Sequence, residues 1–210
     1  MTQEASVGRT YAGQPVEDRQ RERRARFLES GLTVFARDGY ANSSVGAICR
    51  DAGLSSRQFY EEFTGREALL IELYGEIETI AQNAVAAAMI AGASNSPAEV
   101  VDAGTRAYIE SIGSDPRKAR VALVEVVGAS SRMEERRQQQ RRDWAALLAS
   151  VARRAVQDGG IPPDDLEIRV SAVMGAVNYV VYDWSVSEPR QPLDHVVQVL
   201  RKMLVAAIVA

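Results

Sequence analysis

Apolar residues recur every three or four positions along most of the chain, and no stretch shows the period of two that is typical of a strand. Ala, Leu, Glu, Arg and Gln fill these segments, and Gly, Pro, Ser and Asp separate them. The pattern predicts an all-α protein with about nine helices after a flexible tail, residues 1–18. The predicted helices cover residues 18–38, 45–52, 56–62, 66–91, 97–112, 116–128, 131–157, 165–187 and 193–209.

Residues that start and stop helices mark the ends of the first predicted segments. Gly39 follows the first segment, and Gly53 follows the second, where a left-handed residue commonly ends a helix. Ser44 and Ser55 precede the second and third segments as N-caps. In the fourth segment, the residues predicted to face the core are Leu69, Leu73, Ile77, Ile80 and Ala84.

The second and third segments form a predicted helix-turn-helix, joined by Ala52-Gly53-Leu54-Ser55. Phe59 and Phe63 are four residues apart, so both are expected to pack inward from the third helix. That packing leaves the other face of the helix exposed. The residues on it are Ser56, Arg57, Gln58 and Tyr60, donors of the kind that reach base edges and phosphates in a major groove.

The segment from Arg21 to about Ala81 resembles the DNA-binding domain of the TetR family of regulators. The matching features are Phe35…Gly39-Tyr40, Ser44-Val45-x-x-Ile48, Ala52-Gly53-Leu54-Ser55, Phe59-Tyr60-x-x-Phe63 and Arg66-Glu67-x-Leu69. The resemblance implies a DNA-binding domain over 21–81, with the helix-turn-helix at about 44–63, and a ligand-binding and dimerisation domain over 82–210. It also implies a transcription regulator, a repressor more often than an activator, that a small molecule releases from its operator.

The resemblance assigns roles to individual residues of the helix-turn-helix. Ser44 and Tyr60 match positions that touch phosphate, and Arg66 stands where the family usually has a lysine near the DNA backbone. Arg57 departs from the small residue that is common at its position, and it either reads guanine or pairs with a phosphate. The complete set of expected DNA contacts is Ser44, Ser55, Ser56, Arg57, Gln58, Tyr60 and Arg66.

Charge is unevenly distributed along the chain, whose net charge is −3. Residues 19–66 contain nine arginines and six acidic residues, a net charge of +3, which suits one DNA-facing end on an acidic body. Some of the arginines at the start of the first helix are expected to contact DNA: Arg21, Arg23 and Arg24. Glu61 and Glu62 would repel phosphate, so they must point away or pair with arginine. Whether the tail contacts DNA stays open.

Aromatic and polar residues in the C-terminal part suggest an effector pocket for an apolar or aromatic molecule with one polar group. The expected wall residues are Tyr108, Glu125, Trp144, Met174 and Tyr179. A well-packed core would use the same residue types, so both interpretations remain open. Glu125 lies in an apolar segment and is either exposed or buried beside a partner such as Arg106 or a ligand.

The last two helices are expected to form a homodimer that binds a palindromic operator in double-stranded DNA. Small residues on the eighth helix allow close approach of a second helix, and the ninth offers an apolar face. In the TetR family these helices and their symmetry mates form a four-helix bundle. The expected interface residues are Ala172, Gly175, Ala176, Val196, Val199, Leu200 and Met203.

Other functional classes find little support in the sequence. Cys49 is the only cysteine, so no intrachain disulfide is possible, and a small core residue is the expected role. His195 is the only histidine and is expected at a surface or interface. We therefore expect a cytoplasmic protein with no catalytic activity, metal, cofactor or membrane segment. The alternative is a helical small-molecule-binding protein without DNA activity.

Overall fold

The computed structural model describes residues 10–11, 14–92, 96–157 and 166–208. These residues form nine α-helices: α1 (Val16–Asp38), α2 (Val45–Ala52), α3 (Ser56–Glu62), α4 (Arg66–Ala91), α5 (Pro97–Tyr108), α6 (Pro116–Arg120), α7 (Ser131–Gln157), α8 (Leu166–Val186) and α9 (Leu193–Ile208). The predicted all-α class is therefore confirmed. Most of the predicted tail, residues 1–9 and 12–13, lies outside the described residues, and α1 already begins at Val16.

Three local features differ from the predicted pattern. A two-residue antiparallel pair, β1 (Thr10–Tyr11) with β2 (Gln14–Pro15), precedes α1. Single π-helical turns, Ile109–Gly113 and Val121–Glu125, follow α5 and α6 within the segments predicted as continuous helices. One π turn shifts the helix by a single residue, which is too small a change to be seen in the apolar spacing.

The chain divides into two compact units, with the boundary inside α4 between Leu70 and Ile71. The first unit contains α1 to α3 and the start of α4. Its fully buried apolar side chains are Phe27, Val34, Phe35, Ile48, Phe59, Leu69 and Leu70. A Cβ atom on Gly31 would lie 2.8 Å from Leu69 Cδ2, so glycine allows α1 and α4 to pack closely here.

The second unit is a helical body that contains most of α4 and all of α5 to α9. Within it, α5 packs against α9, and α8 packs against both α7 and α9. Its fully buried side chains include Ile109, Ile112, Met133, Val181, Val197 and Leu200. No described helix is long and apolar enough to cross a membrane.

The buried face of α4 is only partly the predicted one. Leu69, Leu73 and Ile77 are buried as predicted, whereas Ile80 is 55% exposed. The buried residues that the prediction left out are Leu70, Tyr74, Glu78, Ala81 and Val85. A carboxylate is rarely buried without a partner, so the apolar spacing gives no reason to place Glu78 in the core.

Candidate DNA-binding surface and ligand cavity

The turn between α2 and α3 is set by a helix cap on each side of α2. The Ser44 hydroxyl accepts a hydrogen bond from the Ala47 N–H at 3.1 Å, and Gly53 closes the helix with a φ of 62°. This left-handed conformation is readily adopted by glycine and strained for a residue with a β-carbon. Arg26 on α1 donates a hydrogen bond to the Ala52 carbonyl and so ties the turn to α1. Ser44, Gly53 and Ser55 thus have the capping positions that the sequence predicts.

A capping box defines the start of α3. The Ser55 hydroxyl accepts from the Gln58 N–H at 3.2 Å, and Gln58 Oε1 accepts from the Ser55 N–H at 2.9 Å. The side-chain carbonyl of Gln58 is therefore engaged in the cap, and its amide nitrogen is the atom that can still donate. Ser55 and Gln58, both expected DNA contacts, have a structural role at this helix start.

The inner face of α3 is aromatic and packs on α1. The ring of Phe27 meets Phe59 edge to face at a centroid distance of 5.2 Å and meets Phe63 at 6.3 Å. Such edge-to-face pairs stabilise by about 0.5–1.5 kcal/mol beyond the area that they bury. This packing turns Ser56, Arg57 and Tyr60 to solvent, with Tyr60 60% exposed and the Arg57 side chain 90% exposed.

A buried ion pair fixes the end of α3. The Glu62 side chain is fully buried and accepts from Arg23 Nε at 2.9 Å and from Arg23 Nη2 at 2.6 Å. Arg24 Nη1 donates to the Glu62 carbonyl oxygen at 3.0 Å, and its guanidinium lies 4.4 Å from the centroid of Phe63. Glu61 pairs with Arg57, so both glutamates pair with arginine as the sequence requires.

The first arginines of α1 have contacts within the protein, and their expected contacts with DNA stay a prediction. Arg23 and Arg24 hold α3 through Glu62, and Arg21 pairs with Asp18. The sequence pattern showed only a basic run, because the acidic partner of Arg23 and Arg24 lies some forty residues further along the chain.

Arg66, expected near the DNA backbone, is tied to the turn between α1 and α2. Its Nη1 donates to the Tyr40 carbonyl at 2.7 Å and to the Ser43 carbonyl, and its guanidinium lies 4.6 Å from the Tyr40 ring centroid. Ser44 follows directly, so Arg66 positions the cap of α2. Cys49 is buried in this unit, as expected, and His195 in the second unit is exposed.

A cavity of about 300 Å³ lies inside the second unit and is bounded by α4, α5, α7, α8, α9 and the Val121–Glu125 turn. Its volume is at the lower end of the range for small-molecule sites. Four of the five expected wall residues line it, namely Tyr108, Trp144, Met174 and Tyr179. The Tyr108 hydroxyl donates to Asn178 Oδ1 at 2.6 Å, and burial raises the pKa of that phenol.

The fifth expected wall residue, Glu125, is outside the cavity lining. Its carboxylate accepts from Arg120 Nε at 2.9 Å, one turn earlier in the chain. Arg106, the partner considered from the sequence, pairs instead with Asp194 at 2.8 Å. Glu125 is thus paired with an arginine of its own segment.

The carboxylate that does line the cavity is Glu78, which the sequence analysis missed. Its Oε2 accepts from Trp144 Nε1 at 2.6 Å, and both side chains are buried. Burial raises the pKa of Glu78, while the Trp144 hydrogen bond and the nearby Arg136 oppose that rise. The signal was available: Glu78 lies four residues after Tyr74 and three before Ala81, on the buried row of α4.

The expected interface residues fall into two groups. On α8, Ala172 and Gly175 are exposed, Ala176 is half-buried, and nothing lies within 4 Å of a Cβ added to Gly175. On α9, Val199 and Met203 are exposed. Val196 and Leu200 are buried inside the protomer, so they are unavailable to a second chain. Their side of α9 faces the protomer core, and the exposed face is the adjacent one.

Two short helices around a glycine turn, the second with an aromatic inner face and a polar outer face, define a helix-turn-helix DNA-binding protein. A family model described as "Bacterial regulatory proteins, tetR family" matches residues 27–73. A second, described as "Tetracyclin repressor-like, C-terminal domain", matches residues 94–208. The chain belongs to the TetR family of DNA-binding transcription regulators.

Individual relatives are distant in sequence and similar in fold. The HTH-type transcriptional regulator EthR of Mycolicibacterium smegmatis is 26% identical over 69% of this chain and 65% of its own length, just under two thirds of that relative. The Bacillus subtilis regulator FadR, solved with stearoyl-CoA, has a TM-score of 0.73 at 18% identity and covers 88% of this chain and 98% of its own. AibR, solved with isovaleryl coenzyme A and operator DNA, has a TM-score of 0.68 at 18% identity, with coverages of 88% and 98%.

Replacing Glu78 with Gln should change how stability depends on pH. Because burial raises the folded pKa of Glu78, the native state keeps a proton that the unfolded chain releases above about pH 4.3. Native stability therefore falls as pH rises through the folded pKa, by about 1.4 kcal/mol per pH unit between the two pKa values. Glu78→Gln removes this loss and keeps an oxygen acceptor for Trp144.

Thermal unfolding at a series of pH values measures the effect. We expect the advantage of Glu78→Gln over the wild type to be constant below about pH 4.3 and to grow above it. Glu135→Gln, at an exposed position of α7, is the control and should follow the wild type. An advantage that does not change with pH would contradict an altered pKa at Glu78.

Proposed function

We propose that this regulator is a homodimeric repressor that binds a palindromic operator through α3 and leaves it when an acyl thioester enters the cavity. The observation that carries the proposal is the division of α3 into an aromatic face that is packed and a polar face that is open. Its sites of action, DNA and a metabolite, imply a cytoplasmic location.

The proposed DNA contacts lie on the exposed surface of the helix-turn-helix. Ser56, Arg57 and Tyr60 project from α3, and the exposed Ser44 hydroxyl can donate to phosphate while its oxygen caps α2. Gln58 contributes through its amide nitrogen only. Arg66 acts on the same surface by fixing Ser43 and Ser44, so its contribution to affinity does not require contact with a phosphate.

Arg57 should determine sequence preference, whereas Arg66 should determine affinity in general. Arg57→Ala removes a side chain of α3 that is 90% exposed, and loss of a bidentate guanine contact costs about 1–3 kcal/mol at one base pair. Arg66→Ala loosens the cap of α2 and should weaken binding to all duplexes by a similar factor. Selection from a random duplex library, followed by affinity measurements, gives both quantities.

Arg57→Lys is the matched control, because it keeps the charge and loses the planar fork. If Arg57 reads guanine, the lysine variant selects an altered motif. If all three proteins with arginine, lysine or alanine at this position select one motif, Arg57 contacts phosphate or nothing, and its proposed base contact is wrong.

The proposed dimer uses the exposed faces of α8 and α9. Ile168, Ala172, Gly175 and Tyr179 follow a spacing of four, three and four residues, with Ile168 73% and Tyr179 72% exposed. Val199 and Met203 are the exposed apolar residues of α9. Small residues between larger ones allow two helices to approach closely. A dimer that holds its two helix-turn-helix units about 34–36 Å apart, or a multiple of this distance, matches the half-site spacing of a palindromic operator.

Gly175→Glu should give a monomer. A carboxylate at the centre of this face would be buried without a partner in the dimer, while the open space around Gly175 leaves the protomer unaffected. Light scattering at micromolar concentration should return the mass of one chain, and operator affinity should fall about 100-fold or more. Gln138→Glu, on an exposed position of α7, should remain dimeric. A wild type that is itself monomeric would contradict the proposal.

The effector proposal rests on the cavity and on two solved relatives. Apolar side chains from α4, α5 and α8 form most of its lining, and Arg137 and Arg141 lie at its polar side, paired with a single carboxylate, Glu134. Two arginines against one glutamate leave positive charge for a phosphate-bearing headgroup. The relatives solved with stearoyl-CoA and isovaleryl coenzyme A bind molecules of this type.

Release from DNA requires that the effector bind two states of the regulator unequally. Tyr74 and Glu78 of α4 line the cavity, and α4 continues back to Arg66 at the helix-turn-helix. A ligand that displaces this part of α4 therefore acts on the helix that also holds the α2 cap.

Decanoyl-CoA should release the regulator from a selected operator, and coenzyme A alone should not. Ala122→Phe places a ring in the cavity, so the decanoyl-CoA concentration for half-release should rise at least about tenfold while ligand-free operator affinity is unchanged. Ala87→Phe, at an exposed position of α4, is the matched control. Fluorescence anisotropy of labelled operator measures both. Equal release of both variants would place the effector elsewhere, and tighter DNA binding with decanoyl-CoA would contradict release.

A further inference from the structure

A glutamine amide nitrogen is buried in the lining of the cavity without a hydrogen-bond acceptor among the described residues. Gln140 lies on the inner face of α7 between Met133 and Trp144, and only 2% of its surface is exposed. Its Nε2 has no hydrogen-bond partner within the described part of the chain. Buried side-chain donors in folded proteins are nearly always paired, so an unpaired one calls for a specific explanation.

The position does not need a polar side chain for packing. Methionine has a similar length and would fill the same place without an unpaired donor. Gln140 therefore lowers the stability of the ligand-free protein relative to an apolar residue, unless a molecule in the cavity accepts from its amide. The polar groups beside it are bonded to one another, since Trp144 donates to Glu78 and Tyr108 donates to Asn178.

The surroundings of Gln140 also restrict the charge of the acceptor. Trp144 lies one helical turn after Gln140 on α7, and it donates a hydrogen bond to Glu78. Glu78 is the acidic side chain among the residues that line the cavity, and it is almost fully buried. A ligand carboxylate at this depth would be desolvated beside a second carboxyl group. Arg137 and Arg141 lie at the polar side of the cavity, where their charge is available to a phosphate-bearing headgroup, and both side chains are more exposed than Gln140. An uncharged oxygen is the acceptor that this environment favours.

We propose that Gln140 Nε2 donates a hydrogen bond to the uncharged carbonyl oxygen of an acyl thioester, and that this contact makes the cavity select the thioester over the free acid. The proposal rests on the acyl-thioester effector proposed above and adds the group that the protein recognises. Gln140 then determines specificity for the thioester group, and the apolar lining binds the acyl chain whatever group the chain ends in.

The test compares two ligands that differ by one oxygen. Decanoyl-CoA has the carbonyl, and S-decyl-CoA replaces it with a methylene group. Calorimetric titration of the full chain should give the thioester about 3- to 10-fold higher affinity, the range for one neutral hydrogen bond, with decanoate weaker than both. In Gln140→Met the thioester affinity should fall to that of the thioether, while the thioether affinity stays unchanged and reports an intact cavity.

Two further variants make the result specific. Gln138→Met, on the exposed side of α7, should keep the wild-type preference. Gln140→Leu has no hydrogen-bond donor, so it should lose the preference as the methionine variant does. If Gln140→Leu retains the preference, the amide nitrogen is not the donor and the proposal is overturned.

The remaining outcomes separate this proposal from the effector proposal. If neither decanoyl-CoA nor S-decyl-CoA binds the wild type, the acyl-thioester effector is wrong, and this proposal fails with it. If decanoyl-CoA and S-decyl-CoA bind with equal affinity to the wild type and to Gln140→Met, the cavity is an acyl site. In that case only the proposed recognition of the carbonyl by Gln140 is wrong. Binding of decanoate as tight as that of the thioester would also overturn the selection against a carboxylate.

Discussion

The DNA-binding surface depends on a helix that has no stability of its own. The seven residues of α3 are far fewer than the roughly 12–15 that a helix needs to persist alone in water. It persists here because three contacts hold it: the Ser55–Gln58 capping box at its start, Phe59 against Phe27 at its middle, and Glu62 against Arg23 at its end. All three contacts involve residues on the inner face or at the ends of α3, so the residues on its outer face are not needed to hold it.

The same helix that closes the helix-turn-helix unit also supplies a wall of the cavity. Arg66, the first residue of α4, donates to carbonyls of the turn that precedes Ser44, and Glu78 lies about three turns further along the same helix. The Glu78–Trp144 hydrogen bond ties this part of α4 to α7 inside the cavity. A change in the cavity that alters this bond thus acts on a continuous helix, which is the simplest physical connection between the two proposed sites.

Features that depend on local sequence could be predicted, and features that depend on packing could not. The caps at Ser44 and Ser55 and the turn at Gly53 follow from the preferences of single residues, so their positions matched. Ile80 and Glu78 were exchanged because the α4 pattern fits two neighbouring rows, and only contacts with other helices select one. The burial of Val196 and Leu200 has the same origin: both neighbouring faces of α9 are apolar, and the fold decides which one is covered.

The side chains of Glu62, Glu78 and Gln140 are buried, and they differ in how far the described residues satisfy their hydrogen-bonding groups. Glu62 receives several hydrogen bonds from Arg23 and Arg24, so its buried charge is compensated within the chain and fixes a helix. Glu78 receives one hydrogen bond, from Trp144. The amide nitrogen of Gln140 has no acceptor among the described residues. Since an unpaired buried donor destabilises the fold that contains it, a role in folding explains Glu62 and does not explain Gln140, for which the proposed compensation is a molecule in the cavity.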